Sequence, residues 1–467
     1  MSKKTKVIAT IGPKSSDLKT LKKMVESGLD VTRINFSHGE KCEYLAGIKT
    51  IRDVERITGK HIAILADLSG PKIRTDKIPN PIQIRAGEKV ILAPESTASK
   101  GDIPITYAGL VGDVKSGDTL LIDDGKLEVK VISKKSGKII AESRSSGFIG
   151  DHKGINLPGI AIKGGALTPK DVENLKFAVR NGVDYIGVSF VQGPEDLVKA
   201  KKIMKKAGRI LPLVAKIERG VALAHLKEIV KEADAVMVAR GDLGVETAIE
   251  RLPIVQKEII KMCGKFRRPV IVATQMLESM VTMTRPTRAE VNDVATSVFE
   301  GADCLMLSGE TAVGHDPVNA VATMTRIIRA SELSRYHIHI KYELDPSDDN
   351  SVTAVTRAAS FAAEEAKAKA IIVFTMTGKS PVYVSKQRPH CDILAVASSI
   401  DAARRSALFY GVKTFVIPAW RSIDAMIESG IRMLKKKREI KKGDRVVILC
   451  GTVTTPGATN MLKIVTC

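Results

Sequence analysis

The sequence predicts an α/β protein in which a (β/α)8 (TIM) barrel carries an inserted all-β domain and is followed by a separate α/β domain. Three observations lead to this fold class. Apolar runs typical of buried parallel strands alternate with helical patterns eight times outside a single interruption. The interruption contains short alternating runs with hairpin signals. A second strand–helix series begins after a polar, Pro-containing stretch at residues 345–351.

The first strand–helix units lie within residues 1–70. The predicted strands are residues 6–12, 31–36 and 61–68. The helix predicted at residues 17–27 has apolar side chains at positions 18, 21, 24 and 25, which is the spacing of one helical face. A second helix ends near residue 58. This part of the chain therefore supplies the first three strands of the barrel.

Residues 71–156 break the alternation. The strand-like runs here are residues 82–84, 90–93, 119–123, 127–132 and 139–143. Asp124-Gly125 and Ser136-Gly137 lie between them as hairpin turns, and the pattern predicts no amphipathic helix. We therefore expect a small all-β domain inserted after the third strand.

The strand–helix alternation resumes at residue 157 and continues to about residue 340. The predicted strands are residues 184–190, 210–218, 235–239, 269–274 and 304–307. The predicted helices are residues 170–180, 195–206, 221–231, 248–264, 287–299 and 317–329. Thr287 and Glu290 form a capping box at the start of one of them. Eight parallel strands in roughly 250 residues match a closed barrel, formed by residues 1–70 and 157–340.

Residues 341–467 predict a separate α/β domain. Its strands are expected at residues 370–375, 393–397, 414–418, 445–450 and 463–466, with helices between most of them.

Composition limits the classes of function. The six cysteines are scattered without a close pair, which argues against a zinc site and a disulfide framework. No apolar stretch is long enough for a membrane helix, and residues 1–6 lead directly into a strand without an apolar signal region. We expect a cytoplasmic protein that does not bind membranes.

The net charge of +21 is the one compositional argument for a nucleic-acid partner. However, aromatic residues make up only 4% of the chain and are not interleaved with the densest basic run, residues 435–442. No base-stacking surface is therefore visible, and we expect no nucleic-acid binding. A basic surface also suits small acidic substrates.

Polar residues collect where the barrel strands end, and catalytic groups of such barrels lie at this rim. They come from seven strands and include the following residues: Thr10, Pro13, Arg33, Asn35, Ser37, His38, Asp67, Lys216, Glu218, Gly241, Asp242, Thr274 and Ser308. Any one of them could be a structural residue. Their convergence from seven strands is hard to explain by stability alone.

The residue types indicate the chemistry. Lys216 and Glu218 are two positions apart, so they share one face of their strand. Glu218 and Asp242 are carboxylates on adjacent strands and suit a hard divalent cation. Lys216 and Arg33 supply positive charge for a phosphoryl group. No Cys/His or Ser/His nucleophile pair is present at the rim, so the site is suited to phosphoryl or enolate chemistry without covalent catalysis.

The chain resembles pyruvate kinase over essentially its whole length. Six segments match the family in order and spacing: residues 33–39 (RINFSHG), 214–218 (VAKIE), 237–244 (MVARGDLG), 273–279 (ATQMLES), 285–290 (RPTRAE) and 306–311 (MLSGET). The resemblance implies transfer of phosphate from phosphoenolpyruvate to ADP, followed by protonation of enolpyruvate. It also implies that the inserted domain is a mobile lid and that the C-terminal domain is regulatory.

The resemblance implies a role for each matching residue. Lys216 would neutralise the phosphoryl group and the enolate, while Glu218 and Asp242 would hold Mg²⁺ or Mn²⁺. Thr274, with N–H groups near Gly241 and Asp242, would hold the substrate carboxylate. Arg33 would contact the phosphate. The expected nucleotide side comprises Thr10, Pro13, Asn35, His38, Arg74 and Lys153. The proton donor stays open between Thr274, Ser308 and an ordered water.

One departure from the family concerns a monovalent cation. Many members bind K⁺ at positions matching Asn35, Ser37, Asp67 and the carbonyl of Leu68. Those members carry the segment Thr-Lys-Gly-Pro-Glu where this chain has LSGPK at residues 68–72. An ammonium group can replace a monovalent cation, so we expect that Lys72 makes K⁺ unnecessary. The alternative is that Lys72 is an ordinary exposed lysine.

The C-terminal domain contains a candidate effector site. Its residues are Thr375, Thr377, Gly378, Lys379 and Ser380, with a second loop at residues 451–457. A Gly/Ser/Thr loop with one Lys is suited to phosphate, and the resemblance implies a phosphorylated allosteric effector. The alternative is a helix-capping turn. The resemblance also implies a homotetramer with residues 285–290 near a subunit interface.

Two other functions remain possible from the residues. One is a lyase or aldolase that acts on phosphoenolpyruvate or a 2-oxo acid with a Glu/Asp metal pair. The other is a non-catalytic basic binding protein. Arg33, His38, Arg74 and the lid favour the kinase, and the intact set of Lys216, Glu218, Asp242 and Thr274 argues against loss of catalysis.

Overall fold

The chain begins with three strand–helix units. The computed structural model describes residues 3–337, 342, 345, 351–417, 422–451 and 459–467. The first elements are β1 (Lys6–Ile11), α1 (Leu18–Glu26), β2 (Val31–Asn35), α2 (Lys41–Thr58) and β3 (Ala63–Asp67). Asp17 caps α1 by accepting a hydrogen bond from the Thr20 N–H, and α2 ends at Gly59 in the left-handed conformation. These predicted elements are all present.

The inserted segment forms two sheets with their own apolar core. Its elements are β4 (Ile82–Ile84), β5 (Lys89–Pro94), β6 (Ile103–Ile105), α3 (Leu110–Asp113), β7 (Thr119–Ile122), β8 (Leu127–Lys135), β9 (Lys138–Ser143), β10 (Gly147–Ile149) and β11 (Ile155–Asn156). The larger sheet has the order β11-β7-β8-β9-β5-β6, and β10 pairs with β4. All strand pairs of the two sheets are antiparallel except the parallel pair of β5 and β6. The prediction missed β6, β10 and β11, which have only two or three residues each. It also missed the one-turn helix α3.

The barrel then resumes and closes. Its elements are α4 (Pro169–Arg180), β12 (Tyr185–Val188), α5 (Pro194–Lys206), β13 (Leu213–Ile217), α6 (Leu226–Glu232), β14 (Ala235–Ala239), α7 (Arg240–Glu246), α8 (Leu252–Lys265), β15 (Val270–Ala273), α9 (Arg288–Phe299), β16 (Cys304–Leu307), α10 (Gly309–Ala312) and α11 (Pro317–Leu333). Eight parallel strands close in the order β1-β16-β15-β14-β13-β12-β3-β2. The barrel prediction is confirmed, as is the capping box of Thr287 and Glu290.

Two predicted barrel helices are shorter than expected and two helices were not predicted. The segment at residues 221–231 begins as a 3-10 helix, Gly220–His225, before α6. The segment at residues 248–264 likewise begins with the 3-10 turn Ile249–Arg251 before α8. The short helices α7 and α10 follow their strands directly at the rim. Neither segment carries an amphipathic pattern, because Gly and polar residues dominate both.

Side chains alternate between the barrel interior and the helix layer. On β13, Leu213, Ala215 and Ile217 pack in the core between strands and helices, whereas Val214 belongs to the interior cluster. This period-two alternation fixes which residues at the strand ends point into the rim of the barrel.

The C-terminal domain packs against the opposite end of the barrel. Its elements are α12 (Ser351–Glu365), β17 (Ala370–Thr375), α13 (Ser380–Ser385), β18 (Asp392–Ala397), α14 (Ile400–Ser406), β19 (Val412–Val416), α15 (Ile423–Lys436), β20 (Arg445–Gly451) and β21 (Thr459–Thr466). Its sheet has the order β19-β18-β17-β20-β21. Lys6 donates to the carbonyl of Val412, and Tyr185 donates to that of Arg405.

The domain boundaries stay a prediction. Most of the predicted linker, residues 346–350, and residue 418 of the predicted strand at 414–418 lie outside the described residues. Among the described residues, no helix is long and apolar enough to cross a membrane.

Candidate active site

The strand alternation directs five of the predicted residues to the interior rim. Ile8, Val31, Leu65, Val214 and Met306 belong to the interior cluster. Residues two positions further along the same strands share their face. They are Thr10, Arg33, Asp67, Lys216 and Ser308.

Lys216 is the centre of this cluster. Its ammonium lies 3.1 Å from Asp67 Oδ1 and 2.9 Å from Glu218 Oε1, and it donates a hydrogen bond of 2.6 Å to the Ser189 hydroxyl. All four side chains are almost completely buried. Lys216 is therefore a fixed cation in a dry environment, where its charge acts more strongly than in water.

Arg33 adds a second cation next to Lys216. Its Nε donates to Asp67 Oδ2 at 2.6 Å, and its Nη1 donates to the Thr10 hydroxyl at 3.0 Å. Thr10 in turn donates to the carbonyl of Leu307. Asp67 thus holds both cations in place, one on each carboxylate oxygen.

The cluster shifts the pKa values of its members. Burial opposes the charge on Lys216, but Asp67 and Glu218 outweigh it and raise the pKa of Lys216. Burial would raise the pKa of Asp67, yet Lys216 and Arg33 lower it. For Glu218, burial and the charge of Asp242 raise the pKa despite Lys216. A bound cation between Glu218 and Asp242 would relieve that repulsion.

Glu218 and Asp242 fit a divalent metal. Glu218 Oε2 accepts the Phe190 N–H at 2.7 Å, which orients the carboxylate, and Asp242 lies in the first turn of α7. Within the described part of the chain, no group of three or more His, Cys, Asp or Glu residues could hold a metal ion. Two carboxylates, with the remaining ligands from water and substrate, are the usual provision for Mg²⁺.

Thr274 and Gly241 meet on neighbouring strand ends. The Gly241 N–H donates to the Thr274 hydroxyl at 2.8 Å, and this hydroxyl donates to the carbonyl of Ala273 at 2.6 Å. Thr274 and Gln275 both have positive φ, at 69° and 54°. The carbonyls of both residues accept hydrogen bonds from Arg240.

Ser308 is held by a buried carboxylate. Its N–H donates to Glu310 Oε2 at 2.7 Å, and Glu310 Oε1 accepts the N–H of Leu277 at 3.1 Å. Glu310 therefore connects the ends of β15 and β16 beneath the rim.

Three residues that contact the predicted site residues were not among those predicted: Ser189, Arg240 and Glu310. Ser189 could have been found from the period of two. It follows the fourth barrel strand, β12, on the same face as Tyr185 and Gly187. Arg240 and Glu310 act on backbone groups of other segments, and no local pattern marks such contacts.

Comparison with known proteins identifies the family. The pyruvate kinase barrel-domain model matches residues 2–321, and the pyruvate kinase alpha/beta-domain model matches residues 353–465. The chain belongs to the pyruvate kinase family.

Individual relatives agree with this assignment. The pyruvate kinase of Geobacillus stearothermophilus is 38% identical, over 99% of this chain and 80% of the relative. That of Corynebacterium glutamicum is 38% identical, over 99% of this chain and 98% of the relative. The crystal structure of a pyruvate kinase from Cryptosporidium parvum matches with a TM-score of 0.92 and 32% identity, covering 100% of this chain and 96% of that one. The predicted function is confirmed.

The predicted nucleotide residues divide between the rim and the lid. On the lid, Arg74 donates to the carbonyl of His152 at 3.1 Å, and Lys153 lies 3.1 Å from Asp123. On the rim, His38 and Pro13 are exposed, whereas the hydroxyl of Thr10 is buried and already bonded. Asn35 accepts the N–H of Ser37.

The junction between lid and barrel contains a buried ion pair. Arg219 Nε lies 3.7 Å from Glu246 Oε2, and each side chain is only 3% exposed. Arg219 donates to the carbonyl of Ile160 at 2.6 Å, and Glu246 accepts the N–H of Leu157 at 3.1 Å. Residues 157–160, which return from the lid to the barrel, are thus hydrogen-bonded to Arg219 and Glu246. Arg219 directly follows Glu218, and Glu246 ends the helix α7 that contains Asp242.

The groups predicted for a monovalent cation are engaged with one another and with the cluster. Asp67 binds Arg33 and Lys216, and the carbonyl of Leu68 accepts the Ser189 hydroxyl at 2.6 Å. Lys72 lies 3.3 Å from Asp242 Oδ1, on the divalent side of the rim. The structure thus places Lys72 at a carboxylate of the predicted divalent site, whereas the expectation was that its ammonium replaces the monovalent cation.

The predicted effector loop forms a tight turn before α13. Thr375 accepts the Gly378 N–H at 3.0 Å, and Ser380 lies 2.8 Å from the Thr459 hydroxyl. Gly378 has a φ of 79°, and a side chain there would approach the carbonyl of Ala402 to 2.6 Å. Lys379 is exposed. Residues 452–457 of the second predicted loop lie outside the described residues.

Proposed function

We propose that the chain transfers the phosphoryl group of phosphoenolpyruvate to ADP and then protonates enolpyruvate to pyruvate. The observation that carries this proposal is the buried Lys216 ammonium between Asp67 and Glu218, with Arg33 beside it. Positive charge held rigidly in a dry site stabilises the charge that develops on a transferring phosphoryl group and on an enolate.

Different residues of the site bind different parts of the substrate and the metal. Lys216 and Arg33 bind the phosphoryl oxygens, and Thr274, with the N–H groups of Gly241 and Asp242, orients the substrate carboxylate. Glu218 and Asp242 would hold Mg²⁺ or Mn²⁺, which supplies Lewis-acid stabilisation of phosphoryl and enolate oxygens. Thr274, Ser308 or an ordered water delivers the proton to enolpyruvate.

ADP is placed between the rim and the lid in this proposal. Asn35 and His38 follow β2, whereas Arg74 and Lys153 belong to the lid. Since the lid connects to the barrel beside Asp242 and Glu218, closure of the lid on ADP would act next to the metal carboxylates.

A coupled assay for pyruvate, with and without ADP, tests the proposed function. Pyruvate should form from phosphoenolpyruvate only when ADP and Mg²⁺ are both present, with one ATP for each pyruvate. Pyruvate formation that does not depend on ADP would contradict the kinase function and favour the lyase or aldolase alternative.

We infer that activity does not need K⁺. Lys72 is exposed at the rim and brings an ammonium group to 3.3 Å from Asp242 Oδ1. In buffers free of K⁺ and Na⁺, with Mg²⁺ present, KCl should change the rate no more than tetramethylammonium chloride does. Lys72→Met should lower the rate and let KCl restore part of it, while Lys77→Met, an exposed lysine of the same segment, should do neither. Strong activation of the wild-type chain by KCl would contradict the proposal.

We also propose that an anionic, phosphorylated effector binds at residues 375–380. The turn before α13 exposes Lys379 next to hydroxyl groups and a glycine, as a phosphate site requires. A sugar phosphate or nucleotide should then shift the saturation curve for phosphoenolpyruvate, and Lys379→Met should abolish the shift. Lys369→Met, at the other end of β17, is the matched control. Unchanged curves across a panel of such compounds would count against this site.

Family membership further supports a cytoplasmic homotetramer, with residues 285–290 near a subunit interface. Light scattering coupled to gel filtration measures the mass directly. A monomer at assay concentrations would refute the tetramer.

A further inference from the structure

Arg240 is a buried arginine whose hydrogen bonds converge on one turn of the rim. Its Nη2 donates to the carbonyl of Thr274 at 2.6 Å and to that of Gln275 at 3.0 Å, and its Nε donates to the Thr274 carbonyl at 3.2 Å. Its Nη1 donates to Asp293 Oδ1 on α9 at 2.8 Å. Asp293 therefore fixes the guanidinium while the other side of the guanidinium holds the turn.

The turn itself has an unfavourable backbone conformation. Positive φ is rare outside glycine, and for a β-branched residue such as Thr274 it is an outlier. Two consecutive residues, Thr274 and Gln275, adopt it here. Backbone strain of this kind persists only where the surroundings enforce it. The guanidinium provides that enforcement, because it binds both carbonyls of the strained pair.

The conformation has a consequence for Thr274. On β15, Val270 and Val272 pack toward the helix layer, whereas Ile271 and Ala273 face the barrel interior. An extended continuation would direct Thr274 toward the helices. Instead its hydroxyl meets the N–H of Gly241 at 2.8 Å, at the start of the helix that carries Asp242.

We propose that Arg240 is a positioning residue for the reaction: it holds the strained turn at Thr274 and Gln275 so that the Thr274 hydroxyl stays at the substrate carboxylate. This inference rests on the proposed function, in which Thr274 binds that carboxylate. Arginine suits the role because its planar fork can reach two carbonyls and a carboxylate together, which a lysine ammonium cannot do with the same geometry.

The test is a double-mutant cycle between Arg240→Lys and Gln275→Gly. Gln275 is exposed, and glycine adopts positive φ without strain, so Gln275→Gly alone should leave activity nearly unchanged. Arg240→Lys should lower kcat/KM for phosphoenolpyruvate by about 10²-fold, with KM for ADP unchanged. Adding Gln275→Gly should recover about tenfold of that loss, since glycine removes the part of the strain that lies at position 275, although Thr274 keeps its positive φ.

Asp293→Asn provides a second test if Arg240→Lys does not fold, because Asp293 binds the Arg240 guanidinium on the side away from the turn. Asp293→Asn keeps the guanidinium but removes the carboxylate that fixes it, so it should lower kcat/KM for phosphoenolpyruvate less than Arg240→Lys does. Gln275→Gly should again restore part of that loss. Circular dichroism and thermal unfolding show whether each variant is folded. Failure of Gln275→Gly to rescue either variant, or loss confined to KM for ADP, would overturn the positioning role. A wild-type chain without ADP-dependent activity would overturn the proposed function instead.

Discussion

Lys216→Met is expected to lower kcat by about 10³-fold or more, because it removes the cation that faces the transferring phosphoryl group and the enolate. Methionine keeps the length and the apolar stem of lysine, so the barrel packing should survive. Loss of the ammonium also leaves the carboxylates of Asp67 and Glu218 to repel each other, because Lys216 lies between them. Without the ammonium, the already raised pKa of Glu218 should rise further, and the affinity for Mn²⁺ should fall with it.

Steady-state kinetics of pyruvate formation and Mn²⁺ binding in the absence of substrates measure the two effects separately. The matched control is Lys201→Met. Lys201 lies on α5, outside the rim, and forms an ion pair of 2.7 Å with Glu232. Its loss should leave kcat within about twofold, because half-exposed ion pairs contribute little. If Lys216→Met keeps more than a tenth of the wild-type kcat while remaining folded, Lys216 is not the cation that the chemistry needs.

The fold could be predicted from the sequence because its signals are local. Each barrel strand is a short apolar run, and each helix carries its own amphipathic pattern, so the eight units can be counted without knowledge of any contact. The period of two also placed Lys216 and Glu218 on one face, and the structure places their side chains 2.9 Å apart. Of the strands that escaped prediction, β10 and β11 pair with β4 and β7, far earlier in the chain, whereas β6 pairs with the preceding strand β5.

The candidate site could be predicted only in part, for the same physical reason. Lys216, Arg33 and Asp67 are visible because charged residues at the end of a buried strand are unusual. Thr274 was found by type, but its orientation depends on a positive φ and on Arg240, 34 residues earlier in the chain. The ion pair of Arg219 and Glu246 was not found either, since nothing local indicates that Arg219 is buried beneath the lid junction.

The base of the barrel contains a second buried charge cluster, far from the rim. Asp303, at the start of β16, lies 2.5 Å from Lys386 and 3.3 Å from Arg388 of the C-terminal domain, and all three side chains are at most 2% exposed. Asp303 thus contacts both cations with its one carboxylate. Burial alone would lower the pKa of Arg388, but the neighbouring Tyr342 and Asp303 raise it. Arg388 therefore stays charged at any physiological pH.

Asp303→Asn should therefore lower the free energy of unfolding by about 3–5 kcal/mol, because it removes the carboxylate that both buried cations contact. Asn is close to Asp in size and can still accept the N–H of Val270, which Asp303 binds at 2.7 Å, so the change isolates the charge. Urea and thermal unfolding midpoints measure the effect. Since the cluster joins the barrel to the C-terminal domain, the two should also begin to unfold in separate transitions.

Lys386→Met tests whether uncompensated charge causes the destabilisation expected for Asp303→Asn. It leaves one carboxylate with one guanidinium, a balanced pair, and should destabilise the protein less than Asp303→Asn does, although it removes a larger buried contact. Asp392→Asn is the matched control, since Asp392 pairs with Lys413 at 3.3 Å in a half-exposed position and Glu439 remains as a partner. It should cost less than about 1 kcal/mol. Equal losses for Asp303→Asn and Lys386→Met would mean that packing, rather than uncompensated charge, holds the C-terminal domain to the barrel.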